Sequence, residues 1–410
     1  MTEPLPTAQA HIVQQAAAFT WDGDGLEPGI ALALSGGGFR AMLFHAGALM
    51  RLHQLGILAR VARISSVSGG SIAAGFLAAA WKSLAGASSD QFKQMYVDPI
   101  LAFSRERIDV GDILTGFLPG TSASAQVAAS YDKALLHNIT LQDIPDAPQF
   151  VFCATNLQSG VLWRFTKAYA GDYVVGRIDK PAFPLSTAVA ASSAFPPFLS
   201  PVVLNPAAGS VTDWPGRAAG AGGVIDPAPY RARVLLADGG VYDNHGLEPV
   251  VKRYMTVLAS DGGAPFGRSV DVATDPVRQL QRVYDVTDNQ VRALRRRDLI
   301  GRFQAAQAAQ ANGTLKPDGT DPQARFGTYW GIDTDPTKAA PPGALAWAPA
   351  TVNALAHLAT RLSDPGEMPA KQLVNWGYTI CDRCVRSYYD VADIQGKPGP
   401  AWPYPEAPLG

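Results

Sequence analysis

Charge, cysteine and uninterrupted apolar runs are all in short supply in this 410-residue chain. Charged side chains make up 17% of it, and 34 basic residues against 35 acidic ones leave a formal charge of −1. That balance gives no bulk attraction to nucleic acid or to an anionic membrane, so any such partner would need a local patch. Three cysteines are too few for a disulfide framework. The first 18 residues carry Glu3 and two prolines, and lack the basic start and apolar core of an export signal. A reducing, cytoplasmic setting is therefore expected. Three uncharged stretches need weighing as membrane spans. Residues 64–81 contain four serines and three glycines, 113–131 are broken by Pro119 and two glycines, and 181–212 hold six prolines. None suits a continuous spanning helix.

What the chain does have is a 47% hydrophobic content, enough for a sizeable core and incompatible with global disorder. At ~150 residues per domain, its length allows two or three domains or one large α/β domain. Ile30-Ala31-Leu32-Ala33-Leu34 reads as a buried strand and Gly36-Gly37-Gly38 as a turn. Met42, Leu43, Ala46, Leu49 and Leu52 then recur at helical spacing. The pattern repeats, with a strand at 61–67, a turn at Ser68-Gly69-Gly70 and an alanine-rich helix at 72–84. Two such units in succession predict a largely parallel sheet covered by helices. Further strands are expected at 150–154, 162–165, 234–237 and 326–332, and helices at 277–310, 351–362 and 369–389. Leu280, Tyr284, Val291 and Leu294 are spaced for one face of the first of these helices. The Gly-, Ala- and Pro-rich residues 206–229 read as a loop or insert.

The second turn carries the strongest chemical signal. In Ser66-Val67-Ser68-Gly69-Gly70 the middle serine falls between strand and helix among small residues, the setting of a nucleophile elbow. A serine that merely caps the helix is the competing reading. The first turn, Gly36-Gly37-Gly38 with Arg40 close behind, offers backbone N–H groups unscreened by side chains, as an oxyanion requires. A Walker-type phosphate loop is excluded because no Gly-Lys-Ser or Gly-Lys-Thr follows. Gly36-x-Gly38-x-x-Ala41 also fits a loose dinucleotide fingerprint, but no Asp or Glu lies between Glu27 and Asp90 to hold a ribose. Asp238-Gly239-Gly240, directly after an apolar run, offers a strand-end base, with a simple turn former as the alternative. Since parallel sheets gather functional groups at strand ends, Ser68 and Asp238 could share one sheet edge.

Together these three turns resemble those of the patatin-like phospholipases. The oxyanion loop appears as Gly36-Gly37-Gly38-Phe39-Arg40-Ala41, the nucleophile as Ser66-Val67-Ser68-Gly69-Gly70 and the base as Asp238-Gly239-Gly240. Residues 154–160, 191–198 and 288–292 also look like the family. Two departures stand out: Ala41 and Ser66 each replace a glycine. The resemblance, strongest over roughly 28–255, implies a three-layer αβα fold with a central, mostly parallel sheet and a helical C-terminal part at 277–390. It implies one hydrolase domain over 28–400, a lead-in at 1–27 and a Pro-rich tail at 391–410. The activity implied is lipid ester hydrolysis, of the phospholipase A or lysophospholipase type, with Ser68 as nucleophile, Asp238 as base, and Gly36, Gly37, Gly38 and Arg40 around the oxyanion. No cofactor or metal is implied. The implied partner is a phospholipid or lysophospholipid; transient contact with a membrane surface and an anionic regulator or partner are expected from the arginine cluster at 292–302 instead.

Two other functions remain open at this level. An α/β-hydrolase would run Ser68, Asp238, then His245 or His357 in chain order. A ligand-gated effector on the same fold is the second. Cys381 and Cys384 have redox or zinc spacing but lack further ligands, and with Cys153 they read as core or incidental residues. Arg292, Arg295, Arg296, Arg297 and Arg302 read as a solvated face offset by Asp285, Asp288 and Asp298, or as a contact for lipid headgroups. Without interleaved aromatics, they give no support to nucleic-acid binding.

Overall fold

The computed structural model describes residues 26–106, 123–215, 226–315, 324–389 and 391–410. The lead-in through residue 25, much of the 113–131 stretch and the middle of the 206–229 insert lie outside the described residues.

Alternation in the first strand accounts for the layering. Along β1 (Glu27–Leu34), Ile30, Leu32 and Leu34 enter one buried cluster, while Ala31 and Ala33 enter a second with Leu247, Val257, Leu299 and Phe303. A strand buried on both faces needs a helical layer on each. Its neighbours are β2 (Val61–Ser66), then β3 (Gln149–Asn156), β4 (Val161–Phe165), β5 (Tyr169–Asp172) and β6 (Gly176–Asp179) on one side. Short β7 (Val202–Leu204) pairs with β8 (Val234–Asp238), which joins β3. On the other side of β1 lie β9 (Tyr254–Asp261) and then β10 (Phe326–Gly331). From β10 through β9, β1 and β2 to β3 every pairing is parallel, and the pairings of β4 to β8 are antiparallel. The two strand-turn-helix units appear as expected, with α1 (Gly38–Gln54) after β1 and α2 (Gly69–Leu84) after β2.

The site depends on α3 (Leu185–Ser192), α4 (Gly240–Asp243), α5 (Glu248–Val251) and α6 (Pro276–Ala311). Two closing helices follow, α7 (Pro349–Ala356) and α8 (Glu367–Tyr388). Helix α8 packs on α1 so closely that a Cβ at Gly47 would collide with Val374 O, and one at Gly377 with Phe44 O. Arg51 and Asp382 form a buried ion pair at 2.8 Å in the same interface. Trp376 Nε1 donates to Ile332 O at 2.9 Å, fixing α8 to the end of β10.

Several expectations change. Strand β9 has no counterpart in the sequence reading, because Thr256, Ser260 and Asp261 break its apolar run. The spacing of Leu280 and Leu294 on α6 does not mark a buried face: they are 72% and 58% exposed, and the buried residues are Leu299, Phe303 and Ala306. The Pro-rich tail is docked on α8. Asn375 Nδ2 donates to Tyr404 O and Ala407 O, and Ala407 and Leu409 are fully buried.

A β-branched side chain at Gly377 or Gly47 has no space unless the two helices part. Gly377→Val or Gly47→Val should cost about 3 kcal/mol or more in denaturant unfolding. The control Gly301→Ala, in open space on α6, should be neutral or gain up to ~1 kcal/mol. Equal effects at the three positions would refute the tight packing.

Candidate active site

Ser68 follows β2 by two residues and adopts φ 51°, ψ −122°, a conformation non-glycine residues rarely take. Its amide donates to both Ser192 O and Ser192 Oγ at 3.1 Å, which holds the turn. The side chain makes no capping hydrogen bond to α2, so the helix-cap reading does not apply. Small neighbours are required here. A Cβ at Gly69 would collide with Gly38 O, and one at Gly70 would lie 2.5 Å from Leu34 O. The elbow thus rests on the glycine turn and on the end of β1. Ser66, where a glycine would be expected, points into a row of hydroxyls. Ser71 Oγ donates to Ser66 Oγ at 2.9 Å and pairs with Ser192 Oγ at 2.7 Å, and Ser192 Oγ bonds to Cys153 O.

The glycine turn lies against the serine: a Cβ on Gly36 would be 3.1 Å from Ser68 Cβ. Gly37 and Gly38 have φ 145° and 60°, and Cβ atoms there would press on Gly262 O and Arg361 O. The Gly36 amide is already committed to Asn244 O at 2.9 Å, whereas those of Gly37 and Gly38 donate to no described residue. Gly36 therefore ties the turn down and leaves the next two amides for a ligand. Arg40 is buried. Its guanidinium spans Gly262 O, at 3.1 Å, and Leu358 O, and burial with Arg292 nearby lowers its pKa to about 10. It braces the turn from behind.

Asp238 reaches the same place by an antiparallel route, not from a parallel strand end as expected. Along one side of β3, β2 ends with Ser66 opposite Phe152, and β8 ends with Asp238 opposite Ala154. The carboxyl ends of the two strands meet head-on. Asp238 is 3% exposed. Burial pushes its pKa up to about 7, against the Gly240 amide, which donates to Oδ1 at 2.7 Å, and the adjacent Ser68 hydroxyl; the Asp288 carboxylate raises it further. Oδ2 is buried without an aligned hydrogen bond. The aspartate does serve its own turn, through Gly240, and also faces the serine. Its main chain is gripped by Thr155 Oγ1 (2.8 Å) and Ala194 O (2.9 Å). Phe195 packs edge-on to Tyr284 at 6.0 Å, and burial with the nearby Asp238 charge raises the pKa of both Tyr284 and Tyr131.

Some contributors were not singled out from sequence. Ser192 O accepts from both Ser68 N and Gly239 N, at 3.1 and 3.2 Å, and Asn244 joins the base turn to the glycine turn. The Ala-rich setting of Ser192 within 191–198 was the available signal. The histidine candidates bond to other groups. His245 Nε2 bonds to Asp261 Oδ2 at 3.0 Å, and His357 is exposed and bonds to Asn353 O. Cys153, Cys381 and Cys384 are buried free thiols, and no metal-ligand cluster occurs among the described residues. The arginine run is not a free solvated face. Arg292 pairs with Asp261, Arg295 with Asp243 and Glu248, Arg296 with Asp333, and Arg302 with Asp298.

The raised pKa of Asp238 makes folding pH-dependent. An unfolded aspartate ionises near about 3.9, so between about pH 4 and 7 the folded state holds this proton more tightly and stability falls as pH rises. Asp238→Asn removes that term. The variant's stability relative to the parent should be greater at pH 8 than at pH 5 in thermal unfolding. A difference independent of pH would contradict the burial argument.

Comparison with known proteins follows the geometry. Human GIVD cytosolic phospholipase A2 superposes with TM-score 0.50 at 14% identity, covering 95% of this chain and 66% of that one, just under two thirds of its length. VipD from Legionella pneumophila gives 0.36 at 15% identity, covering 88% of this chain and 67% of that one. No curated protein matches by sequence. No described helix is long and apolar enough to cross a membrane. The patatin-like phospholipase family matches residues 32–251, more than half of the chain and all three turns, and the chain belongs to that family.

Proposed function

We propose that the protein hydrolyses the acyl ester of a phospholipid or lysophospholipid through Ser68 and Asp238. The observation that carries this reading is the buried Asp238 carboxyl beside the Ser68 hydroxyl, next to amides that donate to no described residue. Ser68 Oγ attacks the ester carbonyl while its proton passes to Asp238. Carboxylates are weak bases in water, and a pKa near 7 in a dry site makes the transfer feasible. The oxyanion is held by the amides of Gly37 and Gly38, with that of Gly69, the residue after the nucleophile, and the positive end of α2 in support. Collapse expels the alcohol, which takes the proton back from Asp238, and leaves an acyl-serine. A water then gives its proton to Asp238 and its oxygen to the acyl group, releasing the fatty acid and restoring Ser68. Arg40 acts as a positioning residue through Gly37 and Gly262.

A fluorophosphonate should label Ser68 and leave Ser68→Ala unlabelled. Asp238→Asn should lose ~10²–10⁴-fold in kcat with the fold intact, and His245→Gln or His357→Gln should keep most activity. The kcat/KM of the parent should rise with pH through an apparent pKa near 7. Near-total loss in either histidine variant would replace the dyad with a triad.

Contact with a lipid surface is supported by the first turns of α6. Val277, Leu280 and Val283 are 78%, 72% and 60% exposed, within about two turns of Tyr284, which lies near Asp238. Leu280→Glu with Val283→Glu should cut hydrolysis of vesicle lipid about tenfold or more while sparing a short-chain soluble ester. An equal fall on both substrates would contradict this role.

A further inference from the structure

A peptide plane has two ends, and turning one aims the other. In a trans peptide the N–H of a residue points away from the C=O of the residue before it. The Gly37 amide donates to no described residue, so its direction is fixed by what holds Gly36 O. That is the side chain of Ser35. Ser35 Oγ donates to Gly36 O at 3.2 Å and accepts from the Gly262 amide, just beyond β9, at 2.8 Å. The preceding peptide is clamped at both ends. His45 Nε2 lies 2.9 Å from Ser35 O, and Gly36 N donates to Asn244 O at 2.9 Å.

The clamps reach the turn from α1 and β9. His45 sits two turns into α1, fully buried, and its Nδ1 pairs with Ser260 Oγ at 2.8 Å. A carbonyl oxygen only accepts, so Nε2 carries the ring proton and Nδ1 accepts from the Ser260 hydroxyl. Burial lowers the His45 pKa to about 4, against the bond to Ser35 O and the Asp261 charge, so the ring stays neutral near pH 7. Ser260 O in turn accepts from the Ser35 amide at 3.1 Å. Ser35, His45 and Ser260 are all shut away from water, so solvent does not replace a lost partner. The packing leaves little slack: a Cβ on Gly70 would lie 2.6 Å from Ser35 O, and one on Gly262 3.4 Å from His45 Nε2. Apolar groups of the same shape can replace both partners of a buried hydrogen bond at little cost in stability. What an apolar cluster could not do is fix the rotation of two successive peptide planes.

We propose that Ser35 and His45 are positioning residues for the oxyanion amides: Ser35 Oγ, itself held by Gly262 N, aims the Gly37 N–H, and His45 Nε2 locks the peptide before it. This rests on the reading of Ser68 as the nucleophile.

The test is steady-state hydrolysis of a soluble short-chain ester at about pH 8, above the Asp238 pKa of about 7, with thermal unfolding of each variant alongside. The parent and Ser68→Ala come first. If the parent has no activity that Ser68→Ala abolishes, the Ser68 reading fails and takes this proposal with it. With that activity present, Ser35→Ala should lower kcat about tenfold to a hundredfold and leave KM within about twofold, because the Gly37 amide serves charge that develops only in the transition state. His45→Asn, whose shorter side chain falls short of Ser35 O, should lose kcat similarly. His45→Gln places an N–H near the position of Nε2 and should keep at least fivefold more kcat than His45→Asn. The double variant Ser35→Ala with His45→Asn should lose less than the product of the two single losses, as members of one brace do. Ser35→Ala removes a single oxygen and decides the matter if His45→Asn does not fold. A kcat for Ser35→Ala within twofold of the parent, or a loss carried by KM, would overturn this proposal and leave the Ser68 reading standing. So would equal losses in His45→Gln and His45→Asn.

Discussion

A single carbonyl, that of Ser192, accepts hydrogen bonds from the amides of Ser68 and Gly239. Those amides belong to turns about 170 residues apart, one closing β2 and the other closing β8. The Ser192 hydroxyl adds a second bond to Ser68 and anchors on Cys153 O, within β3. Serine, aspartate and the strand that seats them are therefore held at one joint. The unusual backbone of Ser68 persists because this joint and the glycines of the neighbouring turn leave it no other place.

Around that joint the electrostatics are arranged by exclusion. Asp238 is shut away from water, with aromatic rings on one side and a second carboxylate, Asp288, near by. The positive charge of α6 is spent elsewhere. Arg292 holds Asp261 ionised well below the usual carboxylate range, aided by His245 and Tyr329, and Arg295 secures the segment that follows the base. Asp243 accepts from the amides of His245 and Glu248, so that segment is a short braced span from the Asp238 turn to α5.

The turns were legible because their chemistry is local. Glycine triplets and a serine between strand and helix restrict the backbone regardless of what packs on them. The strands β1 and β2 and the helices α1 and α2 were legible for a related reason: their periodic apolar residues are buried as the spacing implies. Strand β9 was not, since its partners β1 and β10 supply the hydrogen bonds that a polar-interrupted run cannot advertise. The apolar positions of α6 misled in the opposite direction. Spacing identifies a face but not whether anything covers it, and Val277, Leu280 and Val283 are left to solvent.

The sequence by itself determined the type of fold, the two β-turn-α units, the three small-residue turns and the family, because these follow from backbone permissiveness and apolar period. Only the tertiary structure decided that β8 runs against β2 and meets it end to end, which amides of the glycine turn have no partner among the described residues, and that Arg40 braces rather than faces the site. Each of these depends on contacts between segments far apart in the chain, and burial, hydrogen-bond partners and charge balance have no values until those contacts form.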